Sequence, residues 1–372
     1  MKTIRRLIYG EIFTAFLFVL ASFLALFFFF DFVEELSAIG TTSKLNPEVV
    51  YGMRHALAYV ALQLPSRVYE LMPLAVLIGS VSVLTRLAHS SEYTILRTSG
   101  LGPFRALRIL MGLGIIFTLV TFAIGDYVAP STDETAQLIR AKYRGKLATG
   151  ATGAWLKERQ EGANFMVNVR NLNTTGSMKD VRIYQFDESG LMQSMLEADK
   201  AEIDTTGDWL LTDVRRRDFK RIKLKADEVK YTQFPTYVWK SEITAEMVSV
   251  ALLKPDRMRT ADLFAYVRHL DANGQKAQHY EIEFWRKVFY PMSCMVMIVL
   301  ALPFAYLHFR SGGTAGYVFL GVMIGISFFL LNNVFGYIGN LQQWQPWLAA
   351  AAPPMIYSAM SLAAFGWLVF RR

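Results

Sequence analysis

The chain has 372 residues, 53% of them hydrophobic, with 39 Lys and Arg against 31 Asp and Glu. Its mean hydropathy of +0.27 is high for a water-soluble protein, and the apolar residues fall in long separate runs rather than short core-forming patches. The net charge of +8 is carried largely beside those runs, which favours a membrane surface and excludes nucleic acid as the partner, while the single cysteine, Cys294, rules out a disulfide within the chain.

Lys2, Arg5 and Arg6 precede an uncharged run from Ile12 to Phe30. A helix of that length, about 19 residues, crosses roughly 30 Å of hydrocarbon. A cleaved signal peptide would have a shorter apolar region and a small-residue cleavage site, and none is clear before Asp31. The run is therefore read as a retained first span, residues 12–31, with its N-terminus in the cytoplasm. Asp31 to Gln63 reads as a more polar excursion. A second span follows at 65–87, with Pro73 inside it and Arg67 and Glu70 three residues apart near its outer end, placed to pair. Arg86, Arg97, Arg105 and Arg108 flank the next turn, opposed only by Glu92, so that turn is cytoplasmic. The third span, 103–128, ends at Asp126 and Pro130.

The turn itself reads His89-Ser90-Ser91-Glu92-Tyr93-Thr94-Ile95-Leu96-Arg97-Thr98-Ser99-Gly100. Ser90 or Ser91 is suited to cap a short helix, with Glu92 at its positive end, Arg97 in its last turn and Gly100 placed to end it in a left-handed conformation. The element is expected to present Glu92, Tyr93 and Leu96 to whatever lies beneath. It is either a force-transmitting contact for a cytosolic partner or a solvated connector between two hairpin helices.

From Ser131 the composition changes. Residues 164–170, 181–186 and 208–214 are β-rich, separated by turn signals at Gly176, Ser189-Gly190 and Thr205-Thr206-Gly207. Residues 131–255 are read as an all-β sandwich, jellyroll or open barrel, outside the membrane because an odd number of spans precedes it. Residues 256–283 form an amphipathic connector carrying a helix from Thr260 to Leu270, stopped by Asn273-Gly274. Three further spans follow, at about 285–308, 315–339 and 346–370. The expected fold is thus a polytopic α-helical membrane protein of six transmembrane helices, with a jellyroll-like all-β domain inserted between helices 3 and 4.

No G-x-x-x-x-G-K-[ST] loop is present, and Gly145-Lys146 is followed by Leu147, so ATP is not held here. The five histidines are scattered and no H-E-x-x-H pair occurs, which argues against a metal. Neither Ser99-Gly100 nor Ser311-Gly312-Gly313 has the surroundings of a nucleophile elbow, and no enzymatic reading stands. Asn332 and Asn333 read as helix–helix hydrogen-bonding groups. Arg140, Lys142, Arg144 and Lys146 are either a basic segment touching headgroups or a site for an anionic amphiphile. Phe16, Phe23, Phe27 and Phe30 fall along one face of the first helix, and with Leu74 and Leu77 on the second they are candidates for an apolar lateral wall.

The layout resembles the LptF/LptG permeases of the lipopolysaccharide exporter over essentially the whole chain. The resemblance is carried by Ser91-Glu92 through Arg97 and Gly100, by Pro65 and Pro73, and by Ile124-Gly125-Asp126-Tyr127-Val128-Ala129-Pro130. Phe284-Trp285-Arg286-Lys287 with Pro291, Ala301-Leu302-Pro303-Phe304-Ala305 and Arg310-Ser311-Gly312 complete the set, and Phe32-Val33-Glu34-Glu35-Leu36 looks more like LptG than LptF. The resemblance implies a permease half that pairs with LptF and sits on LptB, a dimeric cytosolic ATPase that binds ATP and Mg. LptC is the implied single-span partner, the cargo is lipopolysaccharide drawn from among the membrane lipids, and the chain itself needs no cofactor. It places both termini in the cytoplasm of the inner membrane and a β-jellyroll in the periplasm. The turn at 89–100 becomes the coupling helix, with Glu92 at the family's coupling glutamate. Enterobacterial-type members carry lysines just outside the first span, where this chain has Asp31, Ser37 and Ala38, so phosphate recognition shifts toward Arg140 and Arg144. The LptF paralogue, a lipoprotein-releasing permease and a membrane-anchored sensor or scaffold are the rival readings.

Overall fold

A computed structural model of the chain describes residues 2–41, 50–144, 154–160, 163–172, 177–187, 189–204, 207–220, 228–244, 247–248, 255–306 and 314–370. The chain divides into two units: Met1–Ala38, Ala56–Asp133 and Gln278–Arg372 form one, and Ile39–His55 with Glu134–Ala277 form the other.

The first unit is helical. Its elements are α1 (Lys2–Leu36), α2 (Met53–His89) from Ala56 on, the short α3 (Glu92–Thr98), and α4 (Pro103–Ala123), which passes through a π turn (Ile124–Val128) into α5 (Ala129–Arg144), whose residues from Glu134 on belong to the second unit. After the second unit come α7 (Gln278–Phe289), α8 (Ser293–Leu300), a 3-10 turn (Leu302–Tyr306), α9 (Thr314–Leu341) and α10 (Pro346–Phe370). Among the described residues five helices are long and apolar enough to cross a bilayer, and the α7–α8 pair, bent by 49°, makes a sixth if it is one broken span.

Several helices outrun the spans expected from composition. The polar excursion at 31–63 is partly helical, because α1 runs on to Leu36 and α2 starts at Met53. Asp31 is tolerated on α1 because Arg67 of α2 bonds both its oxygens, at 3.0 and 3.1 Å. The Arg67–Glu70 pair expected from spacing is also present, at 3.3 Å. Where α1 crosses α2 the backbones nearly touch: a Cβ on Gly79 would stand 2.8 Å from the Phe16 nitrogen. Ile8, Ile12, Phe16 and Leu20, spaced by four, form the buried stripe of α1.

The third span does not stop at Val128. In the π turn the Ala129 N–H bonds the Ile124 carbonyl, five residues back. The same spacing would ask Pro130 to bond Gly125, and proline has no N–H. The Lys287 ammonium supplies the missing donor, 3.2 Å from the Gly125 oxygen and buried. One sequence feature, Pro130, thus explains both the π turn and the lysine inside an apolar bundle. Asn333 meets its expectation by accepting from Arg286 Nη2 at 3.2 Å, joining α9 to α7.

The second unit holds a six-stranded antiparallel sheet in sequential order: β1 (Ala154–Gln160), β2 (Ala163–Leu172), β3 (Met178–Phe186), β4 (Met192–Ile203), β5 (Trp209–Lys220) and β6 (Glu228–Trp239). The three strands read from sequence are β2, β3 and β5. Strand neighbours are consecutive throughout, so among the described residues the sheet is a meander rather than the crossed order of a jellyroll. One face carries the core residues Leu156, Val167, Ile183 and Leu196, which sit opposite one another on four strands.

A crease crosses this sheet. Arg170, Asp180, Asp199, Asp213 and Pro235 stand at successive strands in the position that each pairing skips. Asp180 and Asp213 take left-handed φ angles of 56° and 55° there, a conformation that aspartate accepts more readily than most residues. Across the crease the inward positions are three apart instead of two: Met178 to Val181, Ala198 to Ala201, Leu211 to Val214. Two diagonal corners of the sheet are drawn together. The buried Glu158 of β1 accepts from Ser241 Oγ (2.6 Å) and the Glu242 N–H (2.8 Å), just past the end of β6. Trp239 packs on Phe165 and Trp209 beside them. The free edge of β1 is met by α6 (Thr260–Ala272), whose C-terminal Asn273 accepts the Arg159 N–H at 2.9 Å.

Candidate functional site

The element α3 is set between α2 and α4 by its two ends. Gly100 has φ +98°, its N–H bonds the Arg97 carbonyl, and the Leu101 N–H reaches back to the Leu96 carbonyl at 3.1 Å. This is a Schellman ending, and it needs the backbone freedom of glycine at position 100. Arg105, in the first turn of α4, donates to the Gly100 carbonyl at 2.8 Å and locks the corner. The other end departs from expectation, because neither serine caps the helix with its side chain. Ser91 turns the chain with a left-handed φ of 62°, and its carbonyl accepts the Thr94 and Ile95 N–H groups. Ser90 Oγ bonds back to Leu87.

The faces of α3 also differ from the sequence reading. Tyr93 is 2% exposed and turned into the helical unit, with its ring edge-to-face against Tyr306. Leu96 packs partly against the same core. The face left open holds Glu92 and Ile95, three residues apart, with Ile95 63% exposed. Arg97 is half-buried. An exposed carboxylate beside an exposed aliphatic side chain, on a helix fixed at both ends, suits a protein surface. Ile95 was missed because it and Tyr93 are both apolar, and a seven-residue helix is too short for periodicity to choose the inward face.

The expected apolar wall is narrower than the sequence implied. Phe16 is buried with its ring 4.7 Å from that of Phe117, and Leu77 is fully buried, so these two pack helices together. Leu74 is half-buried and lies against Gly325 of α9. Phe23 and Phe27 are half-buried at the margin of the core, and Phe27 carries the Arg67 guanidinium over its ring at 5.2 Å. Phe30 is exposed at 58%. The cause is the four-residue stripe of α1, which buries Phe16 and turns the later phenylalanines progressively outward.

Arg140 lies on α5, partly buried, and the helix continues through Lys142 and Arg144. Arg140 and Arg144 therefore stand one helical turn apart. The side chains of Lys142 and Arg144, and all of Lys146, lie outside the described residues. Further polar contacts lie near Lys287 in sequence, on and just after α7. Glu283 and Arg286 pair at 2.7 Å on α7, and the Tyr290 hydroxyl donates to the Glu70 carbonyl at 2.6 Å. Among the described residues no group of three or more His, Cys, Asp or Glu side chains is placed to hold a metal.

Long apolar helices and an inserted antiparallel sheet define a polytopic membrane protein. The chain belongs to the family described as lipopolysaccharide export system permease LptF/LptG, which matches residues 6–368. It is similar to the lipopolysaccharide export system permease protein LptG of Escherichia coli strain K12, 30% identical over 99% of this chain and 98% of that protein. The LptG of Haemophilus influenzae is 25% identical over 100% and 99% of the two chains.

Proposed function

We propose that the chain is the LptG-type half of an ABC transporter that lifts lipopolysaccharide from the outer leaflet of the inner membrane and passes it to a periplasmic β bridge. LptF is the paired half, LptC the docking partner, and LptB the cytosolic ATPase in which ATP and Mg2+ are bound. Both termini lie in the cytoplasm and the β unit lies in the periplasm. The observation that carries this reading is the construction of α3, locked to α4 at Gly100, buried on the Tyr93 side and open on the Glu92 side.

The physics explains why such a device needs outside work. Each methylene withdrawn from the bilayer into water costs about 0.8 kcal/mol, so several acyl chains cost tens of kcal/mol. The extractor must shelter them from span to sheet. Phe23, Phe27 and Phe30 supply apolar surface on the margin of α1. Arg140 and Arg144 supply charge for phosphate groups.

Glu92→Lys tests the reading. The helical fold is expected to survive, because Glu92 is exposed and touches no core. Co-purification of the ATPase is expected to fall by about tenfold or more, equivalent to ~1.4 kcal/mol, and lipid export to fall with it. Full retention of the ATPase by this variant would refute the assignment of α3.

A further inference from the structure

Tyr93 links α3 to a span with which it has no covalent continuity. Its ring meets that of Tyr306 with centroids 5.1 Å apart and planes at 75°, and both residues are nearly excluded from solvent. Tyr306 closes the 3-10 turn that follows α8. The end of the broken span therefore rests on the buried face of α3, while α2 and α4, to which α3 is joined by chain, are unbroken at that level.

The break is built to yield. Up to Tyr290 the backbone bonds span four residues, with the Tyr290 N–H on the Arg286 carbonyl. They then shorten to three: Met292 to Phe289, Ser293 to Tyr290, Cys294 to Pro291. A stretch of three-residue bonding inside a helix is a common place for a hinge. On the α7 side of this hinge Lys287 holds the Gly125 carbonyl of the π turn, and the Tyr290 hydroxyl holds the Glu70 carbonyl of α2. On the α8 side the next aromatic contact with α3 is Tyr306. One end of the broken span is thus fastened to spans two and three, and the other end abuts the element proposed to receive the ATPase.

We infer that Tyr306 is a positioning residue: a displacement of α3 reaches the broken span through the Tyr93–Tyr306 ring pair, and the bend at 290–293 converts it into rotation of α7 against α8. This rests on the reading of α3 as the coupling helix. A pair of rings packed edge-to-face has a preferred contact geometry, set by the positive edge of one ring against the negative face of the other, which an aliphatic side chain lacks. That is why leucine, smaller and without a ring, should not replace it.

The test uses the full complex with its ATPase, reconstituted with lipopolysaccharide. ATPase retention, ATP hydrolysis and lipid released per ATP are read separately. Tyr306→Leu should keep the ATPase bound and hydrolysing while lipid released per ATP falls by about fivefold or more, the lower end of ordinary coupling effects. Tyr306→Phe should restore the ratio, and Tyr93→Leu combined with Tyr306→Leu should be no worse than either alone. A normal ratio in Tyr306→Leu, or additive losses in the double variant, would overturn the inference. Glu92→Lys separates the two ideas. If it releases the ATPase while Tyr306→Leu exports normally, the coupling helix stands and the ring contact falls. If Glu92→Lys leaves the ATPase bound, the parent reading fails first. Should the leucine variants not assemble, spin labels at the exposed positions 94 and 279, away from the Glu92–Ile95 face, decide in an otherwise unaltered complex. Their separation should change on adding ATP, and an unchanged distance overturns the inference.

Discussion

Arg67 serves two carboxylates and an aromatic ring at once: both oxygens of Asp31, one of Glu70, and the face of Phe27. Planar guanidinium geometry makes this possible, and lysine would lose the bidentate contact. Both Arg67 and Asp31 are largely covered, with side chains 30% and 18% exposed, so the pair should exceed the value of a fully exposed ion pair. A double-mutant cycle of Arg67→Gln and Asp31→Asn, read by thermal unfolding in detergent, is expected to give a coupling of about 1 kcal/mol or more. At a second residue, pH is the lever. Burial holds the His269 imidazole below its ordinary 6.5, against the opposing pull of Glu158, the Lys157 carbonyl and Glu242. The unfolded chain therefore takes up a proton that the folded unit refuses. Stability is unaffected by this group above 6.5 and falls as the pH drops below it. Melting of the protein should shift downward between about pH 7.5 and about pH 5.5, and His269→Gln should flatten that shift.

At the scale of elements, Asn273 is a helix terminus that also tends a sheet edge. Its carboxamide oxygen takes the Arg159 N–H of β1 while its Nδ2 donates to the His269 carbonyl. Asn273→Ala leaves that edge donor without its acceptor, a loss of about 1 kcal/mol. Hydrogen exchange at the Arg159 amide should accelerate by roughly fivefold, while amides in β3 and β4 stay protected. The long spans and α3 were legible in the sequence because uninterrupted apolar runs, arginine flanks and a terminal glycine each have a direct physical meaning. β4 was not, because its inward residues Leu196, Ala198 and Ala201 change step at the crease and two of them are small. β6 was hidden by Pro235, which argues against a strand until its place on the edge and opposite the left-handed Asp213 is seen. The breaks in the third and fourth spans were equally obscure: Pro130 and Pro291 are visible, but Lys287 answering a carbonyl across the bundle is a tertiary event.

At the scale of the whole molecule, the sidedness of the proposal is open to direct chemistry. The only thiol, Cys294, is buried, so an introduced cysteine reports alone. Ser189→Cys lies in the exposed turn between β3 and β4, and Ser99→Cys lies at the exposed end of α3. A membrane-impermeant maleimide applied to spheroplasts should label the first and reach the second only after permeabilisation. Labelling of both from outside would dismantle the proposed mechanism. α1, 35 residues long, extends about 52 Å, well beyond a hydrocarbon layer of roughly 30 Å, so its ends must stand clear of the acyl region or tilt steeply within it.

The row of positions from Arg170 to Pro235 has a mechanical meaning for anything greasy laid along the sheet. A surface folded on one line opens and shuts like the covers of a book, each cover keeping its own ladder of bonds intact. Bending along that line leaves every strand paired with its neighbour. The three aspartates mark the spine.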